Sequence, residues 1–563
     1  MVKFKVIDSL DEISHFKANV ETFADIETQG LYINPRLIQV YQPDTDELIY
    51  LIDLDIIALE EAKEFLKPLW TIWQGCSYDF GTLNMTTARF DDTLYLARIA
   101  YPSWQDFTLD NIVAKLGHEH LYDGLNKKLL QKQGFVIGAY LSQAQLKYAA
   151  TDVYALSLIW KNAQFQKCRE VMAYKVDMLS MKYAIEYQQN GLISHQPSVR
   201  KELDKIEDEI NSNFIELGDL NCNSPKQVKE ALGVDSSDKP TLIKLIGQGN
   251  RLAELVYKQR RLLKRRTMLH SYNFPKVITR FNVAGAATGR FTSTGGDLDR
   301  SINAQQIPRS LQYIFNQDTE DTVVVHADYS TAELRAACSI MKEPVMYQEL
   351  KDGKDLHIAA AAMSSGKPES SIDKAGRQTG KAVSFGKIFG QSPKSFVEFA
   401  YTNYDVIITQ DESNQIHAKY INKYKMINKY HKDRWNDYKD VPVSTPLGHR
   451  NKARLGTDAI NYATQGCIAE TMKLAIHYLC SEYPEAVKYI FNVVHDAAYL
   501  RVPRGFTNGV VNEEVWAERL VAAMKKGWVE MCKCPMLFYK DIPMPIEYSY
   551  TSSETGKYIE GII

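Results

Sequence analysis

Cysteine is scarce in this sequence: eight among 563 residues, scattered, with only Cys532 and Cys534 close together. The single residue between those two does not match the two-to-four-residue spacing of a zinc knuckle. A disulfide framework is foreign to a chain this long and cysteine-poor, so reduced thiols in a cytoplasmic compartment are expected. No uninterrupted apolar run approaches the ~18 residues that span a bilayer. The opening MVKFKVIDSL holds no apolar stretch of signal-peptide length, and no membrane partner is expected. Neither sign of charge is in excess. Lys plus Arg number 67 against 69 Asp plus Glu, a net charge of -2, so any strongly charged surface has to be local. Internal repeats and low-complexity tracts are missing as well. What is present, 45% hydrophobic and 24% charged residues, excludes disorder, collagen and coiled coil as the main architecture. At roughly 150 residues per domain the length implies three or four domains.

The pattern along the chain is mixed α/β. FADIET, LIQVYQP and ELIYLIDL read as strands of a meander. Residues 57–166 read as mostly helical. A further helix, YKVDMLSMKYAIEYQQNG, stops at Asn-Gly, and the charged helix KELDKIEDEIN, the turn-rich NCNSPKQ and a helix from about Leu252 follow. After Asn273 the pattern turns irregular and strand-like, and DTVVVHADYS reads as a buried strand. A helical block covers about 355–429, and the last strand pair is expected around FNVVHDAAYLRV.

Asp25 and Glu27 lie two apart on a predicted strand, so both face one side. Asp79 stands near a predicted helix start, and Tyr148 and Asp152 are four apart on one helical face. Taken alone, Asp-x-Glu is a common strand end. Together, Asp25, Glu27, Asp79 and Asp152 supply hard oxygen ligands for two Mg²⁺ or Mn²⁺ ions, with Tyr148 placed to orient a water or a phosphate. This set, in this order, resembles the DEDD exonucleases of the Tyr subtype, which implies an RNase H-like fold over roughly residues 1–170. One departure is Gly75, where that family commonly has an Asn that helps hold the nucleic-acid strand.

Four later segments form a second constellation: TGRFTSTGGDLDRSINAQQIPR (288–309), HADYSTAELR (326–335), RQTGKAVSFGKIFG (377–390) and VVHDAAYL (493–500). Asp328 and Asp496 each end an apolar strand, where a charge is costly unless it is paired or holds a metal. Arg377, Lys381, Phe385 and Phe389 recur every four residues, hence on one helical face that presents two cations and then two rings. Arg and Lys suit a triphosphate, and Phe385 a nucleotide base. The order and spacing of the four segments closely resemble family A, the DNA polymerase I family, over about residues 175–563. A right-hand fold of thumb, palm and fingers follows from that resemblance. The implied layout is a 3′-5′ exonuclease domain (1–172), thumb (173–275), first part of the palm (276–345), fingers (346–430) and second part of the palm (431–563). No separate 5′ nuclease domain is expected ahead of it, and the compact plan resembles enzymes that bacteriophages encode.

The resemblance also implies roles. Asp328, Asp496 and the carbonyl of Tyr329 would hold two Mg²⁺ ions per site, with Mn²⁺ as a substitute. Lys381 would protonate the leaving pyrophosphate, His357 would contact phosphate, Phe389 would guard the template side, and Glu333 would exclude a ribose 2′-hydroxyl. Arg290, Asn303, Gln305, Asn461, Gln465 and His495 resemble the polar set that reads minor-groove acceptors. Lys258, Arg260, Arg261, Lys264, Arg265 and Arg266 lie on the thumb helix that would follow the duplex backbone. Ala497 stands where the family has Glu after His-Asp. Thr331, Ser384, Thr457 and Phe389 are further departures, implying altered fidelity or nucleotide preference. Expected partners are primer-template DNA, dNTPs and phage or host replication proteins. The segment from Asn211 to Arg251 has no insertion for thioredoxin, and a monomer is expected. The alternative is an exonuclease whose C-terminal part only binds primer-template.

Overall fold

The structure, a computed structural model, describes residues 2–30, 33–295, 300–507 and 510–563, the side chains at 128, 131, 507 and 510 excepted. Residues 296–299 of the first polymerase-like segment therefore lie outside the described residues. Alternating and β-branched residues near the N-terminus form β1 (Phe4–Ile7), β2 (Glu21–Gly30), β3 (Ile33–Tyr41) and β4 (Ile49–Asp53). β2, β3 and β4 make the expected antiparallel meander. β5 (Trp70–Trp73) and β6 (Arg89–Asp92) correct the reading of 57–166 as mostly helical. Four-residue segments are too short for periodicity to separate strand from helix. They extend the sheet in parallel, giving the order β1-β4-β3-β2-β5-β6.

Three helices frame this sheet: α1 (Cys76–Leu83), α2 (Gln143–Trp160) and α3 (Met172–Tyr187). A capping box of Ser142 and Gln145 starts α2. α3 ties the first sheet to the rest of the chain. Tyr174 Oη donates to Asp91 at 2.8 Å and accepts from the Asp92 N–H, while the Ala173 N–H donates to the Leu447 carbonyl. Two long helices, α4 (Gln196–Leu217) and α5 (Arg251–Ser271), then pack together.

The second sheet is antiparallel. Its strands are β7 (Thr322–Tyr329), β8 (Ile490–Val494), β9 (Ala497–Pro503), β10 (Ile546–Thr551) and β11 (Tyr558–Ile562), in the order β8-β9-β7-β10-β11. The β10–β11 hairpin corrects the expectation that β8 and β9 are the last strand pair. Its sequence, EYSY against YIEGI, mixes exposed polar residues into the strands and so lacks the apolar density that marks β7. Among the helices of this part are α6 (Ala332–Ile340), α7 (Leu356–Ser365), α8 (Lys374–Ile388), α9 (Gly456–Glu482) and α10 (Asn512–Cys532). One hydrophobic core runs from the first sheet through α3 and α9 to the second sheet. Smaller cores sit at the base of α4 and α5 and at their far end.

Candidate active sites

The β2 pleat puts Asp25 and Glu27 on one side, and a bulge follows at Glu27/Thr28. Asp152 reaches them from α2. Ligand atoms of Asp25, Glu27 and Asp152 all lie within 4.8 Å of one another. Asp79, in the first turn of α1, is buried beside this trio but outside that distance. Burial and then the Asp152 charge push the Asp25 carboxyl up to about 8. Burial and neighbouring carboxylates raise Glu27 and Asp79 well above the ordinary range. Four oxygen donors that repel one another suit a divalent cation such as Mg²⁺ or Mn²⁺. Tyr148, one helical turn before Asp152 on α2, is buried, and burial followed by the charges of Asp152, Glu27 and Asp25 keeps its hydroxyl protonated, a donor.

Sequence reasoning missed two neighbours. Tyr122 Oη donates to Asp152 Oδ1 at 2.7 Å, and Lys127 Nζ lies 3.6 Å from the same oxygen while pairing with Asp110. They come from a separate segment whose spacing to the motifs carries no signal. Gly75 has φ +80° as the residue capping α1, and its N–H donates to Asp92 Oδ1. That left-handed backbone explains the glycine locally.

At the second site, Asp328 lies on β7 directly opposite Ala497 of β9, and the Tyr329 N–H donates to the Asp496 carbonyl at 3.2 Å. Asp496 itself lies in the turn between β8, which ends at Val494, and β9, which starts at Ala497, rather than at a strand end as the sequence suggests, and it stands one residue before the partner of Asp328. Burial, then Asp496, raises the Asp328 carboxyl to about 8; burial, then Glu333, raises Asp496 to about 6. Among the described residues, Asp328 Oδ1 is buried without a hydrogen-bond partner. An all-oxygen set with an orphaned buried oxygen again fits Mg²⁺. Two residues beside the acidic pair, Thr331 (φ +52°) and His495 (φ +55°), hold left-handed backbone without being glycine. On the other flank of Asp328, β10 places Glu547 directly opposite it. Arg309 adds an opposing positive charge near Asp328 and Lys381.

α8 carries Arg377, Lys381 and Phe385, and Phe389 is the residue just after its end, still joined by an N–H bond to the Phe385 carbonyl. Arg377 Nε donates to Asp355 Oδ2 at 2.8 Å. Lys381 is lowered by burial and by the charges of Arg377 and Arg309. Burial lowers His357 to about 4, which leaves its imidazole neutral at neutral pH. The Phe385 ring lies 5.4 Å from His357, 6.0 Å from Phe389 and 6.4 Å from Tyr404. Ser384 Oγ donates back to the Gly380 carbonyl, inside its own helix.

Arg290 and Glu333 form an ion pair, joining two residues the sequence assigned to different tasks. Gln305 Nε2 donates to the Val493 carbonyl, and Asn303 Oδ1 accepts from Ser293. Asn461 and Gln465 line a cavity of about 550 Å³ with Arg98, Arg450 and Lys452. On α5, Lys258, Arg261 and Lys264 are exposed. Arg260 instead donates to the Cys222 and Ser237 carbonyls, and Arg265 and Arg266 reach Glu202 and Glu207.

Comparison with known proteins supplies the family. Residues 189–526 match the family model for DNA polymerase family A. DNA polymerase I of Aquifex aeolicus is 27% identical over 93% of this chain and 94% of its own length. Thermostable DNA polymerase I of Thermus caldophilus is 23% identical over 74% of this chain but 51% of its own. The POL domain of Pol1 from M. smegmatis, solved with DNA primer-template and dNTP, superposes with a TM-score of 0.73 at 18% identity, covering 97% of both chains. These relatives are bacterial and lend no support to a phage origin. The matched segment, more than half of the 563 residues and holding both Asp328 and Asp496, places this chain in DNA polymerase family A.

Proposed function

We propose that the chain is a template-directed DNA polymerase that extends a primer 3′ end with deoxynucleotides, and that residues 1–172 proofread as a 3′-5′ exonuclease. The division at 173, 276, 346 and 431 into thumb, palm, fingers and palm belongs to this reading, as does replication of DNA, a phage genome by the sequence reading, in the cytoplasm. The observation that carries it is the meeting of Asp328, near the end of β7, with Asp496, in the turn between β8 and β9, with Arg309 and Glu547 in electrostatic reach of both Asp328 and Lys381 of α8.

Bound Mg²⁺ would supply a more acidic primer hydroxyl and charge neutralisation at the phosphates, held by Asp328, Asp496 and the Tyr329 carbonyl. The chain's own groups do the rest. Arg377 and Lys381 bind the triphosphate, and the depressed Lys381 ammonium gives up its proton more readily to the leaving pyrophosphate. Phe385 stacks on the incoming base, and Glu333, steadied by Arg290, crowds the sugar. In the first domain Asp25, Glu27, Asp79 and Asp152 would hold the corresponding ions, and Tyr148 donates to the scissile phosphate or orients the water. Exposed Lys258, Arg261 and Lys264 contact the duplex backbone.

Ala497 favours a second reading, a nuclease whose C-terminal part only binds primer-template. Primer extension with dNTPs and Mg²⁺ decides. Wild type is expected to extend, Asp328→Ala to lose extension but keep degradation, and Asp25→Ala to show the reverse. No extension by wild type removes the polymerase reading.

A further inference from the structure

The palm carries an acidic residue that the sequence motifs do not contain. β7 is flanked by β9 and β10, and at the level of Asp328 the three strands present Ala497, Asp328 and Glu547 side by side. Directly opposed residues of an antiparallel sheet share a face, with Cβ atoms about 5 Å apart. Ala497 offers no oxygen to the cation site on one side of Asp328, whereas Glu547 offers a carboxylate on the other. Like charges opposed across two strands are destabilising unless a cation lies between them.

We infer that Glu547, on the C-terminal hairpin, is a metal-ligating carboxylate of the polymerase site, standing beside Asp328 where Ala497 cannot. This rests on the polymerase reading above. Two further observations support it. Glu547 is exposed, so no packing against a core holds its side chain. Its Oε1 accepts from Ser330 Oγ at 2.7 Å, two residues beyond Asp328, so it already lies along the path to the acidic pair. Among the described residues only Asp25, Glu27 and Asp152 bring three ligand atoms within 4.8 Å, so Glu547 has to leave Ser330 and swing toward Asp328 when a cation loads. The two methylenes of a glutamate give it that reach.

The test uses the full chain with Asp25→Ala and Glu27→Ala, so that the first cluster does not compete, bound to primer-template ended by a dideoxynucleotide. Mn²⁺ binding is titrated by the electron-spin resonance of the free ion, and Mg²⁺ half-saturation of primer extension is measured in parallel on unblocked primer. Glu547→Gln keeps the size and the Ser330 bond but removes the charge. It is expected to weaken Mn²⁺ binding and raise Mg²⁺ half-saturation about tenfold, the loss expected for one unit charge beside a divalent ion in a largely solvated setting. Glu547→Asp, or Ala497→Glu added to Glu547→Gln, is expected to recover most of it. Unchanged Mn²⁺ affinity in Glu547→Gln, or affinity that neither exchange recovers, overturns the inference. Wild type that binds Mn²⁺ but never extends a primer overturns the polymerase reading instead.

Discussion

At the scale of single residues, partnership is what the sequence hides. Asp25, Glu27, Asp328, Lys381 and Asp496 stand out because local spacing sets which face they share. Arg290 with Glu333, Arg377 with Asp355 and Arg265 with Glu202 do not, because the partners are distant in the chain and meet only when the fold is built. Those pairings change what the residues can do. Arg377 is already bonded to Asp355, and Arg260 is fixed to backbone carbonyls. Tyr148 gives a clean test. Its hydroxyl stays protonated, so removing it takes away a donor and no charge. Tyr148→Phe is expected to slow 3′-5′ degradation by about 10²-fold, the scale of one positioned donor or proton-transfer group, while primer extension is unchanged. Degradation at the wild-type rate would show that the phenol is structural.

Among the elements, α8 depends on how closely it approaches α7. A Cβ built on Gly380 would lie 1.9 Å from the His357 carbonyl oxygen, a backbone atom that cannot step aside. Gly380→Ala is therefore expected to cost about 1–3 kcal/mol, as overpacking does. It should also raise the KM for dNTP, because Lys381 and Phe385 ride on the displaced helix, with exonuclease rates kept. A melting temperature equal to wild type with an unchanged KM would refute this. The same scale shows where sequence reading fails. β7 and α8 were legible because dense apolar residues or a four-residue beat mark them. β5 and β6 were too short to carry a period, and β10 and β11 too polar. Those strands are recruited by the sheets they join rather than by their own pattern.

Across the whole molecule, α3, the helix that follows the first domain, is bonded to the rest through a buried charge. Asp177 of α3 lies 2.5 Å from Lys473 of α9 and 3.0 Å from His449, and neither Asp177 nor Lys473 has an exposed side chain. Lys473→Met leaves Asp177 without one of its two counter-charges and is expected to cost about 3–5 kcal/mol, read by urea unfolding. The pH dependence follows from the carboxyl. Burial alone would raise it, but His449 and Lys473 outweigh burial and hold it below its ordinary value. Its stabilisation is therefore present above about pH 4 and lost as pH falls through the lower folded value. The stability gap between wild type and Asp177→Asn should close on acidification, and a gap constant from about pH 7 to about pH 3 would sink the assignment.

That buried link has a mechanical consequence. A helix pinned to both halves through Tyr174, Ala173 and Asp177 works as a strut, so the distance between the two acidic clusters is set at folding and does not change with each error. On the proofreading reading proposed above, a mispaired terminus would not be fetched by a swinging domain. It would peel off its template and make the crossing itself, and the barrier to each editing excursion would be set by the stacking of the last few base pairs.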